Sequence, residues 1–348
     1  MSASSNLDSI PALEPPTGVT SNFIDPPTLA PAVYGVAIIT IILMTAAVAV
    51  RIYVKACLIR QTKIEEYFAL FALAGFITWN ALFMYMTSTL EVARHQWDVR
   101  AGIAETLLYY ANIVEIVYIP SMLAAKCAII FQIKTIFCVG QSREAVWWSL
   151  HILLAIAVAY YTASFFALVF QCMPRAAIWN PEVQGTCINV KVLTLSAGII
   201  NFVLDGALLV IPMWAIWRLN MSTRSRLGAL AVFGVGILTI VIAAIGIAYR
   251  VFLVQSDDET WHITELGLWS MPENLGTIIV GCLPSFPRFI KHVTGRDTPA
   301  SQSGVALAQG KARFSCDLRL LNICAVAGNP QASRLDLEGD NVGKFEQF

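Results

Sequence analysis

Residues 31–50 read PAVYGVAIITIILMTAAVAV, twenty residues without one charge. A helix rises about 1.5 Å per residue, so this stretch matches the roughly 30 Å hydrocarbon core of a bilayer. Six more apolar stretches follow it. Together they predict spans at 31–50, 66–87, 107–133, 146–171, 190–217, 228–254 and 265–290. Hydrocarbon offers the backbone no water to bond, so runs of this length cross as helices. The expectation is all-α: a seven-transmembrane-helix bundle over residues 31–293, in a multi-pass protein whose first partner is the lipid bilayer.

The composition agrees. Apolar residues make up 57% of the 348 and charged residues 13%, about half the share of a soluble domain. The mean hydropathy is +0.66. Net charge is zero, so no nucleic-acid partner is expected. Met1 to Ala30 has neither the basic nor the apolar region of a secretory signal. Its prolines, Ser, Asn and Asp predict a disordered arm over 1–30, and the polar stretch 294–348 predicts a disordered tail. Leu320 to Ala327 is apolar but too short to span. The eight cysteines and four histidines are scattered, so no metal site is expected. Cys172 and Cys187 share one interhelical loop, and their separation suits a disulfide.

Basic residues in short loops set orientation. One side collects Arg51, Lys55, Arg60, Lys63, Lys134, Arg143, Arg218, Arg224, Arg226, Arg288, Lys291 and Arg296. The other holds Arg94, Arg100, Arg175 and Lys191. The first side is therefore expected in the cytosol, with the C-terminus, and the N-terminus outside or in a lumen. The pair Cys172 and Cys187 then faces the oxidising compartment. The sequon Asn220-Met221-Ser222 falls on the cytosolic side and should stay unmodified.

Several loop and helix residues carry a resemblance. Arg51 in a basic loop precedes Glu65-Glu66-Tyr67, and His95 stands two residues before Trp97. Lys126 lies in the third span. A loop reads Phe170-Gln171-Cys172-Met173-Pro174, then Trp179, then Gly185-Thr186-Cys187-Ile188. Asn201, Asp205 and Ile211-Pro212 follow in the fifth span, Gly234 and Arg250 in the sixth, Glu273 and Cys282-Leu283-Pro284 in the seventh. On these residues, from about Val33 to Lys291, the chain resembles the fungal rhodopsin-like integral membrane family. It departs where the family usually shows Asp-Asp-Tyr, and at Gln132-Ile133-Lys134, where an aromatic-x-Arg ending is usual. The resemblance implies seven spans and neither retinal nor signalling. It covers receptor-like members and members of secondary-metabolite gene clusters.

Retinal needs a buried lysine amine for its Schiff base, and in rhodopsins that lysine lies in the seventh span. Glu265 to Ile290 contains none, so no cofactor is expected. The third span ends Phe131-Gln132-Ile133-Lys134 without an acidic-Arg-Tyr triplet, and the seventh lacks Asn-Pro-x-x-Tyr. No internal repeat suggests a transporter.

Ionisable residues inside spans are costly and ask for partners. Glu115, Glu273, Asn80 and Asn201 fall at similar depth from the outer ends of their helices, and Arg250 reaches toward them. They are candidates for a ligand or proton site, with Arg250–Glu273 the expected ion pair; the plainer reading is interhelical hydrogen bonding. Lys126 and Asp205 lie deeper and are a candidate pair. Glu65 and Glu66 read as a solvated cap favoured by the helix dipole. Trp97, Trp179 and Trp261 read as interface anchors.

Three functions fit. One is a receptor-like or sensing protein with an outer pocket for a small apolar ligand. Another is an accessory membrane protein of a fungal secondary-metabolite gene cluster. The third is a membrane-embedded acid-catalysed enzyme using Glu115, Asp205 or Glu273. No motif names a catalytic residue, so the enzyme reading ranks last.

Overall fold

A computed structural model of the chain describes residues 10–137, 144–180, 182–217 and 223–295. The expected tail, with its apolar piece at 320–327, lies outside the described residues from 296 onward, as do residues 1–9 and the loops holding Arg143, Arg218 and the sequon.

Among the described residues, seven long helices form the bundle. They are α1 Ala30–Tyr53, α2 Ile64–Thr89, α3 Ala104–Phe137, α4 Glu144–Val169, α5 Val190–Trp217, α6 Thr223–Gln255 and α7 Glu259–Cys282. Pro31 opens α1, where a missing N–H costs nothing. The end of α1 runs on as a π-helix, Val54–Ile59, closed by Arg60 in the left-handed region at φ 56°. Pro120, Pro212 and Pro272 lie inside α3, α5 and α7, where a bundle can re-satisfy the freed carbonyls.

Among the described residues, six helical segments are long and apolar enough to cross a membrane. The seventh, α7, has the length but not the apolar content. Its buried face carries Thr264, Ser270, Glu273, Asn274 and Thr277. A helix surrounded by other helices needs less lipid-facing surface, so polar residues accumulate there. The expected seventh span, 265–290, is also corrected. α7 ends at Cys282; Pro284 sits in a 3-10 turn, Leu283–Ser285, and a short helix α8, Phe286–Val293, follows. Proline ends the regular helix because it has no N–H to donate.

Neighbours in sequence pack side by side, and α7 returns to α1 to close the ring. α3 touches α2, α4, α5 and α7 and has the most buried membrane-length window. Its centre contributes Ile119, Met122 and Ala125 to a core shared with Met44, Phe76 and Ile278. Outward faces stay apolar, as Ile38, Ile39 and Ile42 on α1 show. That is the pattern of a bundle dissolved in lipid rather than water.

The arm differs from the disordered segment expected. Over residues 10–29 it is tied to the loop before α3: Ala12 N donates to Val99 O at 2.9 Å, Asn22 N to an Asp98 oxygen at 2.8 Å, and Leu29 N to Ala93 O at 2.9 Å. These bonds give the proline-rich backbone partners that composition does not reveal. After α4, strands β1 Cys172–Met173 and β2 Thr186–Cys187 form an antiparallel ribbon, and Cys172 and Cys187 are disulfide-bonded across it.

Candidate functional site

A cavity of about 660 Å³ opens inside the bundle on the side of the disulfide ribbon. Aromatic side chains of three helices wall it: Trp79 and Phe83 of α2, Tyr118 of α3, Tyr160 and Tyr161 of α4. Three of the polar candidates line it, namely Glu115, Asn201 and Arg250. Glu273 joins through hydrogen bonds: Tyr161 Oη donates to Asn201 Oδ1 at 3.0 Å, and Asn201 Nδ2 donates to Glu273 Oε1. This chain links α4, α5 and α7.

Arg250 and Glu273 do not form the expected ion pair. Among the described residues no carboxylate oxygen lies within ion-pair distance of the guanidinium, and neither Arg250 Nε nor Glu273 Oε2 has a hydrogen-bond partner. Both flank Gly246: a Cβ built there would lie 3.0 Å from Arg250 Nη1 and 3.6 Å from Glu273 Oε2. Glu273 has turned one oxygen to Asn201 instead. Asn80 is buried but does not line the cavity; its amide donates to Phe76 O, one turn back, at 2.8 Å.

Lys126 and Asp205 do meet, with Nζ to Oδ1 at 2.5 Å. Lys126 follows Met122 by one turn and Asp205 follows Asn201 by one turn. Met122 and Asn201 both line the cavity. The pair thus sits about 6 Å beyond the cavity floor.

A second polar cluster closes the opposite end of the bundle. Arg51 Nε donates to Glu66 Oε2 at 2.5 Å, and its Nη1 donates to Gln132 Oε1 and, at 2.5 Å, to Gly281 O. Lys55 approaches Glu65 at 3.1 Å, and Thr135 Oγ1 donates to Glu65 at 3.1 Å. Glu65 and Glu66 are 1% and 3% exposed, so the solvated cap expected from sequence is a buried clamp joining α1, α2, α3 and α7. Helix-terminal position alone suggested solvent. The opposite charges on α1 were the available signal, counted only as loop charge.

At the disulfide end, His95 lies between Trp97 and Trp261, with nearly parallel rings at centroid distances of 4.4 and 4.0 Å. Its Nδ1 is 2.6 Å from Asp258 Oδ2. Thr260 and Thr264 of α7 donate to Arg94 O and Val92 O at 2.7 and 2.9 Å. Two of the three expected anchor tryptophans are therefore packed on an imidazole, and Trp179 meets Tyr109 edge-on. Sequence reasoning also missed Tyr161, whose hydroxyl is indistinguishable by pattern from its apolar neighbours.

These features define a multi-pass α-helical membrane protein with a polar-floored cavity inside its helices. The chain belongs to the Fungal rhodopsin domain family, which matches residues 50–292. It is 29% identical over 286 residues to "Fugralins biosynthesis cluster protein 2" of Gibberella zeae, covering 81% of this chain and 71% of that one. It is 31% identical over 217 residues to a "SAT4 family membrane protein" of Emericella nidulans, covering 61% and 55%. It is 24% identical over 254 residues to "Polyenoic acids biosynthesis gene cluster protein Ba17b" of Metarhizium anisopliae, covering 68% and 67%. No solved structure matches the chain.

Proposed function

We propose that this chain is a seven-span membrane protein of receptor-like type that holds a small, mainly apolar molecule in the cavity, with the disulfide end outside or in a lumen. The carrying observation is the cavity itself. Its volume of about 660 Å³ falls in the range of small-molecule sites, and aromatic walls surround a few convergent polar groups. Crossing by α7 is supported by its 24 residues and its place between α1 and α6. The orientation is supported by the bias of Lys and Arg toward the Arg51 end.

A second reading is favoured by the names of two relatives, which assign them to biosynthesis clusters for fugralins and polyenoic acids. The chain would then be an accessory membrane protein of a secondary-metabolite pathway. The two readings converge on one molecule when the cavity holds the product or an intermediate of that pathway.

Full-length protein reconstituted in lipid nanodiscs from its native host tests the cavity. Retained small molecules are extracted and compared by mass spectrometry with those from Ala111→Trp, whose indole fills the cavity from α3. A compound kept by the native chain and lost from the variant supports the reading. Identical extracts refute it. Reporters fused before Met1 and after Phe348 test orientation; a cytosolic N-terminal reporter overturns it.

A further inference from the structure

Three basic side chains are buried among the described residues: Arg51, Lys126 and Arg250. Arg51 and Lys126 each have a carboxylate oxygen at 2.5 Å. Arg250 has none, although only 5% of its surface is exposed. A guanidinium stays charged under all ordinary conditions. Glu115 and Glu273 act on it electrostatically but neither makes an ion-pair contact, and a charge so placed in a poorly solvated site is expensive. Carboxylic acids nearby can escape the same cost by keeping a proton; arginine cannot.

The bundle makes room for this side chain. A Cβ on Gly198 of α5 would lie 2.5 Å from Arg250 Cδ and 2.8 Å from Nε, and one on Gly246 would lie 3.0 Å from Nη1. Two glycines on two helices leave space for the side chain, and Arg250 lines the cavity. Its Nε is buried and has no hydrogen-bond partner among the described residues.

We infer that the cavity takes an anion: a molecule with an apolar body and a terminal carboxylate, or an equally acidic oxygen, received by Arg250. The planar fork of arginine matches two carboxylate oxygens, and charge-assisted bonds are the strong ones. The apolar body lies against Trp79, Phe83 and Tyr160. This assignment rests on the cavity reading above and adds the charge of its ligand.

The test uses the full chain in nanodiscs and three probes of one shape: phenylbutyrate, its methyl ester and phenylbutylamine. Equilibrium dialysis gives the affinities. Phenylbutyrate should bind the native chain about tenfold or more tighter than the ester and the amine. Arg250→Gln should erase that preference, and Arg250→Lys should keep part of it. The native-chain comparison decides even when Arg250→Gln does not fold. Equal binding of acid and ester, both lost in Ala111→Trp, overturns the anion assignment and leaves the cavity reading standing. Tighter binding of the amine does the same. Probes that bind the native chain no better than Ala111→Trp overturn both.

Discussion

Asp205→Asn should be among the most damaging single substitutions in the membrane domain. Lys126 is 0% exposed, and its ammonium rests 2.5 Å from Asp205 Oδ1. Removing the carboxylate charge leaves a fully buried cation with nothing to neutralise it in contact. Breaking a buried pair from one side costs about 3–5 kcal/mol. For a domain of this size, each kcal/mol shifts the midpoint by roughly 2–4 °C, so the loss should be about 10 °C. Lys126→Met should cost less, because the Asp205 side chain keeps 10% exposure and can be hydrated or protonated. The double variant Lys126→Met, Asp205→Asn should recover most of the loss, since with both charges gone no buried ion is left to desolvate. The assay is thermal unfolding of all four proteins in nanodiscs, read as a double-mutant cycle. Single effects that simply add would show that the pair contributes no coupling and would refute the reasoning.

Arg51→Gln and Glu66→Gln should each destabilise by about 3–5 kcal/mol, because the clamp buries both groups; Glu65→Gln should cost less, since its partner Lys55 is 16% exposed. Chemical unfolding monitored by tryptophan fluorescence distinguishes them. Gly276→Ala should destabilise by about 1–3 kcal/mol, as its methyl would overlap Thr239 Oγ1 of α6, and Thr239→Ala should restore the loss. Thermal midpoints of both single variants and the double check this. Serine at both Cys172 and Cys187 should cost about 3 kcal/mol by freeing a loop of 15 residues. The native chain should lose the same amount on reduction, and a midpoint unmoved by reductant refutes it.

Span positions were legible because lipid imposes one rule on every outward face. The starts and ends of α1 to α6 fall within a few residues of those read from hydropathy. The rule fails at α7, whose end depends on Pro284 and whose burial relaxes the demand for apolar residues. Lys126 and Asp205 were legible as a pair since each is an isolated charge deep in a span. Arg250 and Glu273 were harder: similar depth does not say which way a side chain turns, and Asn201 competes for Glu273. Glu65 and Glu66 were misread because a carboxylate at a helix start looks the same whether water or Arg51 faces it. The arm was misread because its partners lie 64 to 87 residues away, at Ala93, Asp98 and Val99.

α7 is pinned at both ends, by Asp258, Thr260 and Thr264 against the loop before α3, and by Gly281 against Arg51. Between the pins, Gly267 and Gly276 let Phe83 and Thr239 press into its backbone. In mechanical terms α7 is a stator, with α1, α2, α3 and α6 fixed to it. α4 and α5 touch each other sparsely, and their membrane-length windows are only 22% buried. Work done by a molecule entering the cavity therefore goes into displacing that side of the bundle. Arg250 stands on α6, which packs on α7, so the group that receives the ligand is held on the fixed side and faces a wall free to move.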